Sequence, residues 1–475
     1  MYDNNNRFLC SNYAPWREEG EAFDLEVDGE LPKELSGVLY RNGPNPAFAP
    51  LGRYHWFDGD GMVHAVKLEH GRAFYRNRYV RTPGLLAEMR AGKSLFGGLL
   101  QIPEYPSAEG PFKNAANTNI IGYANRLLAL WEGGLPHELK PESLETIGMY
   151  SFGGKLNGPM TAHPKYDPET GELLFFGYQP FPPYLTYHRA DPLGNLVESR
   201  PIDTGIATMM HDFVATRNHL VFFVMPSVFH LENFKSGRPL LNWEPAHGTK
   251  IGVMDRKKGD LKWFHTEAFY IFHFVNAFEE SDSIVVDACR MASLDMSGNS
   301  FGGGPTLPYR FTLNTNDGSL KTEKIDDQSS EFPRIDDRRA GLKHRFAYFA
   351  GGREGSAREL GFEVLIRRDY ATGRSESLDL GAHMRPSEPV FAPRHANGTE
   401  DDGYVMAVWY NEQTDRSEVT ISDPGDFTGQ PIARINLNHR VPFGFHGNWV
   451  PNRTLTQLAA PAGTPATNSG TAWPS

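Results

Sequence analysis

Residues 165–178 read KYDPETGELLFFGY. The turn-forming run Asp167-Pro168-Glu169-Thr170-Gly171 leads directly into the apolar stretch LLFF, which reads as strand, turn, strand. Glycine at the end of such a run supplies the positive φ that a tight hairpin needs. The same chemistry returns at Asp255–Gly259 (DRKKG), Asn314–Gly318 (NTNDG) and Asp369–Gly373 (DYATG). Leu220–Met225 (LVFFVM) and Ser283–Ala288 (SIVVDA) are compact apolar strand candidates. Successive hairpins without alternating helices predict an all-β antiparallel meander: a sandwich, a barrel or a propeller. A chain of 475 residues makes the propeller the best fit, although the turns are unevenly spaced and no strict repeat is visible. Glycine (48) and proline (35) are spread along nearly the whole chain, as many short strands require. The main helical signal is Gly84–Gly98 (GLLAEMRAGKSLFGG), a short amphipathic candidate.

Composition narrows the function classes. With 39% hydrophobic and only 22% charged residues, the chain can bury a large core and does not read as disordered or nucleic-acid-binding. A net charge of −11 disfavours a polyanionic partner. Cys10 and Cys289 are the two cysteines and have no metal-like spacing, so a thiolate site or disulfide framework is not expected. Without a basic and apolar leader or a long apolar run, the expectation is a cytoplasmic protein. Residues 1–455 read as a single domain, and 456–475, rich in Ala, Thr, Pro and Gly, as a disordered tail.

Seventeen histidines are present, and most read as ordinary. His137, His219 and His439 have polar neighbours and are expected to be solvated. Four others lie among small or apolar residues: His163 (TAHPKYDP), His211 (MMHDF), His273 (IFHFVNAFEE) and His446 (FGFHGNW). No two of these four have the i, i+4 spacing of a helical zinc site. They would have to converge from separate strands, which a propeller axis permits. His55, His64 and His230 have partly apolar surroundings too, so local context does not single out four.

Longer words decide the matter. GVLYRNGPNP (37–46), WFDGDGMVH (56–64), FYRNRYVRTP (74–83), ANTNIIGYANRLLALWEGGLPHEL (116–139) and LETIGMYSFGG (144–154) come in order, followed by the four histidine words. EFPRID (331–336), SEPVFAPR (387–394), EDDGY (400–404) and VPFGFHGNW (441–449) complete the set. This series resembles the carotenoid cleavage oxygenase family from about Gly37 to Trp449. The resemblance implies a seven-bladed β-propeller with a small helical dome, and Fe(II) held by His163, His211, His273 and His446. It also implies three glutamates behind the ligands, at Glu132, Glu331 and Glu388. A metal-bound imidazole is oriented by donating its other N–H to a carboxylate, so the pairing makes physical sense. Thr118 matches a family threonine whose methyl narrows one of the two open metal positions. Four neutral imidazoles differ from the two-histidine, one-carboxylate triad of many non-haem iron sites.

The resemblance leaves open carotenoid or apocarotenoid cleavage, stilbene or phenylpropenoid cleavage, and retinoid isomerisation. The stilbene-cleaving branch usually carries a lysine before the first of those glutamates. Here that position is Trp131, which can line an apolar tunnel but cannot stabilise a phenolate. The expected reaction is therefore cleavage by O₂ of a conjugated double bond in a carotenoid or apocarotenoid, giving two carbonyl products. A hydrophobic polyene lives in membranes, so Leu85, Leu86, Met89, Leu95, Phe96, Leu99 and Leu100 are candidates for reversible contact with a membrane surface or, equally, for a core-facing helix. A metal-free propeller acting as a binding module is the reading from another class. Asp58-Gly59-Asp60-Gly61 lacks the glutamate of a calcium loop and reads as a hairpin turn. Gly351–Gly355 lacks a P-loop lysine and reads as a loop. Arg338, Arg339, Lys343, His344 and Arg345 read as a solvated basic face or a set of salt bridges.

Overall fold

All four glycine-ended turns close hairpins in the computed structural model, which describes residues 6–100, 112–235, 238–296, 304–356, 361–452 and 454. Lys165–Tyr166 pairs with Leu173–Leu174 across the first of them, and Gly171 has φ 72°. Gly259, Gly318 and Gly373 take φ of 80°, 79° and 71° in the other three. The predicted strands are also present, as His219–Val224 and Ser283–Met291.

These hairpins assemble into seven antiparallel sheets of four or more strands, with one additional two-stranded ribbon. The protein is a seven-bladed β-propeller. Chain order follows blade order for five blades; the other two are completed by the chain ends. Gly37–Pro44 pairs with Gly447–Pro451, and Val27–Gly29 pairs with Ala433–Asn436. Both ladders join residues more than 400 positions apart in sequence, closing the ring with backbone hydrogen bonds and leaving no open seam there.

The core lies between blades, where inward-facing residues of neighbouring sheets meet. One cluster joins Val221, Phe223, Ile251, Phe274, Val286 and Phe311. His137 corrects the sequence reading: it is fully buried, not solvated. On the strand His137–Leu139, His137 and Leu139 face inward while Glu138 is turned toward solvent. Its polar neighbours point the other way, as the two-residue period of a strand requires. His219 and His439 are half-buried.

The basic cluster divides similarly. Arg338 pairs with Asp336, Lys343 with Glu280 and Arg345 with Asp369. His344, however, is buried, with Nε2 3.5 Å from Asp287. Asp58-Gly59-Asp60-Gly61 is not a hairpin: Trp56–Asp58 forms a 3₁₀ turn, and the Asp58 carboxylate accepts the His55 N–H at 2.9 Å.

The helix is Pro83–Ala91, capped by the Thr82 hydroxyl accepting from Leu85 N and ended by Gly92 at φ 66°. It is divided in its exposure. Leu85 and Phe96 are buried, whereas Leu86 and Met89 are 40% and 43% exposed. Among the described residues no helix is long and apolar enough to cross a membrane. The predicted tail, 456–475, lies outside the described residues.

Candidate metal centre

Six of the seven sheets end in one strand on the side facing the propeller axis and the seventh in two short strands, and these build the site. Thr118 precedes Asn119–Tyr123, His163 precedes Lys165–Tyr166, and His211 lies just ahead of Val214–Ala215. His273 lies within Tyr270–Glu280 and Glu331 within Ser330–Arg334. Glu388 lies between Met384–Pro386 and Val390–Pro393, and His446 precedes Gly447–Pro451. One polar residue per blade therefore points at the axis, and Glu132, which follows Arg126–Leu130, is the single addition from a second strand.

His163, His211, His273 and His446 are buried, and the ligand atoms they offer all lie within 4.8 Å of one another. The Nε2 atoms of His163 and His211 are 2.9 Å apart, and those of His211 and His273 are 3.3 Å apart. The contact between His211 and His273 is not a hydrogen bond. His211 turns Nδ1 to Glu132 at 2.5 Å, and His273 turns Nδ1 to Glu331 at 2.6 Å. A neutral imidazole whose Nδ1 proton goes to a carboxylate has only a lone pair on Nε2. Two such lone pairs 3.3 Å apart, as on His211 and His273, repel unless a cation lies between them. The separations also match adjacent ligands around one ion with metal–nitrogen bonds of about 2.0–2.1 Å. The donor set therefore fits a metal ion.

Burial disfavours a proton on two of these rings, His163 and His446. Burial pushes His163 well below the ordinary imidazole value, and the other three rings and Lys165 disfavour a proton there as well. Burial brings His446 down to about 4, against the pull of Glu388. His273 is displaced upward: burial opposes its charge, but the adjacent Glu331 carboxylate outweighs that cost.

The three predicted glutamates each serve a different ring. Glu388 accepts from His446 Nδ1 at 2.9 Å and from the backbone N–H of Gly447 at 2.8 Å, with Arg334 at 3.5 Å. Glu132 also accepts the Tyr178 hydroxyl at 2.6 Å. His163 is the exception, with no carboxylate on its ring among the described residues. His55, His64 and His230 are engaged elsewhere: His55 accepts from Phe57 N, His64 meets Tyr75, and His230 lies between Glu232 and Glu244.

A cavity of about 1050 Å³ opens on this cluster. Its wall includes Thr118, Trp131, Phe57, Phe272, Phe332 and Phe445. Thr118 is buried and donates its hydroxyl to Asn117 Oδ1 at 2.9 Å, leaving its methyl as the unengaged part. Trp131 is half-buried, and Gly133 accommodates it, while Gly134 makes room chiefly for the Asn114 amide. A Cβ on Gly133 would lie 2.5 Å from the indole. Phe332 stacks on His273 at 5.1 Å, and Phe272 meets His211 edge-on at 5.3 Å. The sequence reading missed both phenylalanines as site residues, although each directly adjoins a polar site residue in the chain. A separate polar channel of about 700 Å³ reaches His163, His273 and His446 and is lined by Asp167, Asp336 and Arg256.

The comparisons with known proteins agree with this geometry. Residues 13–451 match the family described as retinal pigment epithelial membrane protein. The chain is 33% identical to isoeugenol monooxygenase of Pseudomonas putida over 94% of this chain and 98% of that protein. It is also 33% identical to carotenoid 9,10(9',10')-cleavage dioxygenase 1 of Arabidopsis thaliana, over 95% of this chain and 91% of that one. Among solved structures, lignostilbene dioxygenase of Pseudomonas brassicacearum superposes with a TM-score of 0.89 at 32% identity, covering 95% and 99% of the two chains. Four converging histidines in this fold mark a metal-dependent enzyme of oxidative carbon–carbon double-bond cleavage. The chain belongs to the carotenoid oxygenase superfamily, the family of the retinal pigment epithelial membrane protein.

Proposed function

We propose that this chain, with residues 1–455 as one catalytic domain, uses Fe(II) and O₂ to cleave a conjugated double bond of a carotenoid or apocarotenoid. The convergence of four imidazoles at the end of an apolar cavity carries this reading. His163, His211, His273 and His446 would hold the iron. When bound, the iron supplies O₂ activation beside the alkene, and alkene plus O₂ balances to two carbonyl groups without another reductant.

The chain's own residues position and exclude. Glu132, Glu331 and Glu388 hold the Nδ1 protons of three rings and so keep Nε2 free for the metal. The Thr118 methyl narrows the space beside the site. Phe57, Phe272, Phe332 and Trp131 keep water from the reacting bond and pack a flat conjugated chain. No protein acid or base is needed, and those three glutamates are already engaged with histidines. A volume of about 1050 Å³ suits a long ligand, since pockets for small molecules run to about 1,000 Å³.

Trp131 favours the polyene, because an indole offers no cation to a phenol. The likeness to isoeugenol monooxygenase and lignostilbene dioxygenase supports a second reading, an aromatic alkene such as a stilbene or phenylpropenoid. Cytoplasmic location, with reversible contact to a membrane surface through Leu86 and Met89, belongs to the same proposal. Offering the iron-loaded enzyme an apocarotenal and a hydroxystilbene side by side, and identifying the aldehydes formed, separates the readings. The apocarotenal should be favoured in kcat/KM by about 10-fold or more, the scale of pocket-based discrimination. Trp131→Ala should narrow that margin. Exclusive cleavage of the stilbene would overturn the polyene assignment.

A further inference from the structure

Arg41 is a buried cation with no ion-pair or hydrogen-bond partner among the described residues. It lies on the strand Gly37–Pro44, between His64 and Gly447 of the neighbouring strands, and is 7% exposed. Its Nε is enclosed with no hydrogen-bond acceptor. Among the described residues no carboxylate lies within ion-pair distance of its guanidinium. Glu388 is close enough to be felt, but His446, Gly447 and Arg334 occupy its oxygens. Burial therefore brings the Arg41 pKa down to about 10. Of the other charged groups of this wall, Lys113 is held between Asp60 and Glu88, Asp58 accepts backbone N–H groups, Arg7 lies over the Phe8 ring, and Glu132, Glu331 and Glu388 hold the histidines.

Arg41 also borders open space. Arg41 lines the 1050 Å³ cavity together with Phe443, Gly444 and Phe445. Gly444 packs directly beside it: a Cβ there would lie 3.5 Å from Arg41 Cζ, in ordinary contact, and 2.8 Å from the Asn42 carbonyl oxygen, which is what keeps the position a glycine. A charge taken out of water without a partner is costly, and a planar fork of N–H donors is matched best by a carboxylate.

We propose that Arg41 anchors a carboxylate on the substrate, so that the preferred ligand is an apolar conjugated chain ending in an acid group. This rests on the cavity being the alkene site proposed above, and it specifies the end group that the apolar wall leaves open. The aromatic wall holds the chain, and the arginine fixes how far it enters. Register of that kind selects the bond presented to the metal.

The test is equilibrium binding of retinoic acid and of retinol to the iron-loaded protein, followed by quenching of tryptophan fluorescence. The two probes share one polyene and differ in the end group. The acid should bind about 10–100-fold more tightly than the alcohol, as charge-assisted hydrogen bonds of about 1.5–3 kcal/mol imply. Arg41→Gln should remove that preference while leaving alcohol binding and iron content within about twofold, and Arg41→Lys should restore part of it. Equal affinity of the wild type for both probes would overturn the proposal without any variant. So would an acid preference that survives Arg41→Gln and disappears on iron removal, which would place the carboxylate on the metal. Equal weakening of both probes by Arg41→Gln would make the residue structural and also refute the anchor. If the enzyme cleaves polyenes with no acid preference, the anchor fails and the proposed activity stands. Acid preference in a protein that cleaves no alkene would give the converse.

Discussion

His273→Ala is expected to abolish stable iron binding and reduce alkene cleavage by well over 100-fold. Changing a residue that only supports a metal ligand typically costs about 10–100-fold in metal affinity or activity, and loss of the ligand itself costs more. The expectation is specific to this ring. His273 Nε2 is 3.3 Å from that of His211, and its Nδ1 is held by Glu331 at 2.6 Å. Its removal also leaves Glu331 with only a backbone N–H, that of Phe332, on a carboxylate whose other oxygen already lacks a partner. Phe332 loses its stacking partner as well. Iron per chain after Fe(II) reconstitution and desalting, with product aldehyde measured alongside, checks this. A variant that keeps full iron and full activity would contradict the ligand set.

Glu388→Ala should be the most damaging of the three glutamate substitutions, for stability as well as for the metal. Its side chain is 3% exposed and ties together His446, the Gly447 N–H and Arg334. Alanine leaves the Arg334 guanidinium, itself 14% exposed, with only Asp337 at 3.6 Å among the described carboxylates. Breaking a buried pair from one side costs about 3–5 kcal/mol where the remaining charge is left uncompensated; Arg334 keeps the Gly447 carbonyl and Asn448 Oδ1 as acceptors, so the low end of that range is expected. Iron affinity should fall by a further 10–100-fold, roughly, as His446 loses the group that orients it. Glu132→Ala should cost less stability, since Glu132 is more exposed and serves only His211 and the Tyr178 hydroxyl. Urea unfolding of the metal-free variants and Fe(II) titration measure the two effects separately. Glu388→Ala with unchanged stability and iron affinity would refute this account of the blade.

The site's arithmetic was present in the sequence but only partly legible. Considered alone, the histidines are separated by 48, 62 and 173 positions, which suggests no period. The structure shows why. Each blade contributes one axial residue, and the two blades between His273 and His446 contribute Glu331 and Glu388 instead of histidines. With those included, His273 to Glu331 and Glu388 to His446 are each 58 residues apart, close to the 62 from His211 to His273. The repeat belongs to the axial position of the blade and not to a residue type, so a search for repeated words or repeated histidines could not find it. Hairpins were legible for the opposite reason. Their turns depend on glycine at positive φ, a requirement local enough to be visible in five residues.

His137 was misread because its polar sequence neighbours face away from it on the strand, and burial depends on the sheet behind. Arg41 and the phenylalanine wall were not legible either. A buried cation and a paired surface cation look alike in sequence, and Phe272 and Phe332 look like ordinary strand residues. What distinguishes them is the cavity, which forms only when seven strands far apart in the chain converge.

The central claim is that four imidazoles, with no carboxylate in direct contact, hold one iron at the propeller axis. X-ray absorption at the iron edge of the Fe(II)-reconstituted protein tests it most directly. The expected result is one iron per chain, with a nitrogen-dominated shell and the multiple-scattering signature of four imidazoles. An oxygen-rich shell with two imidazoles, or a protein that takes up no iron, would contradict it.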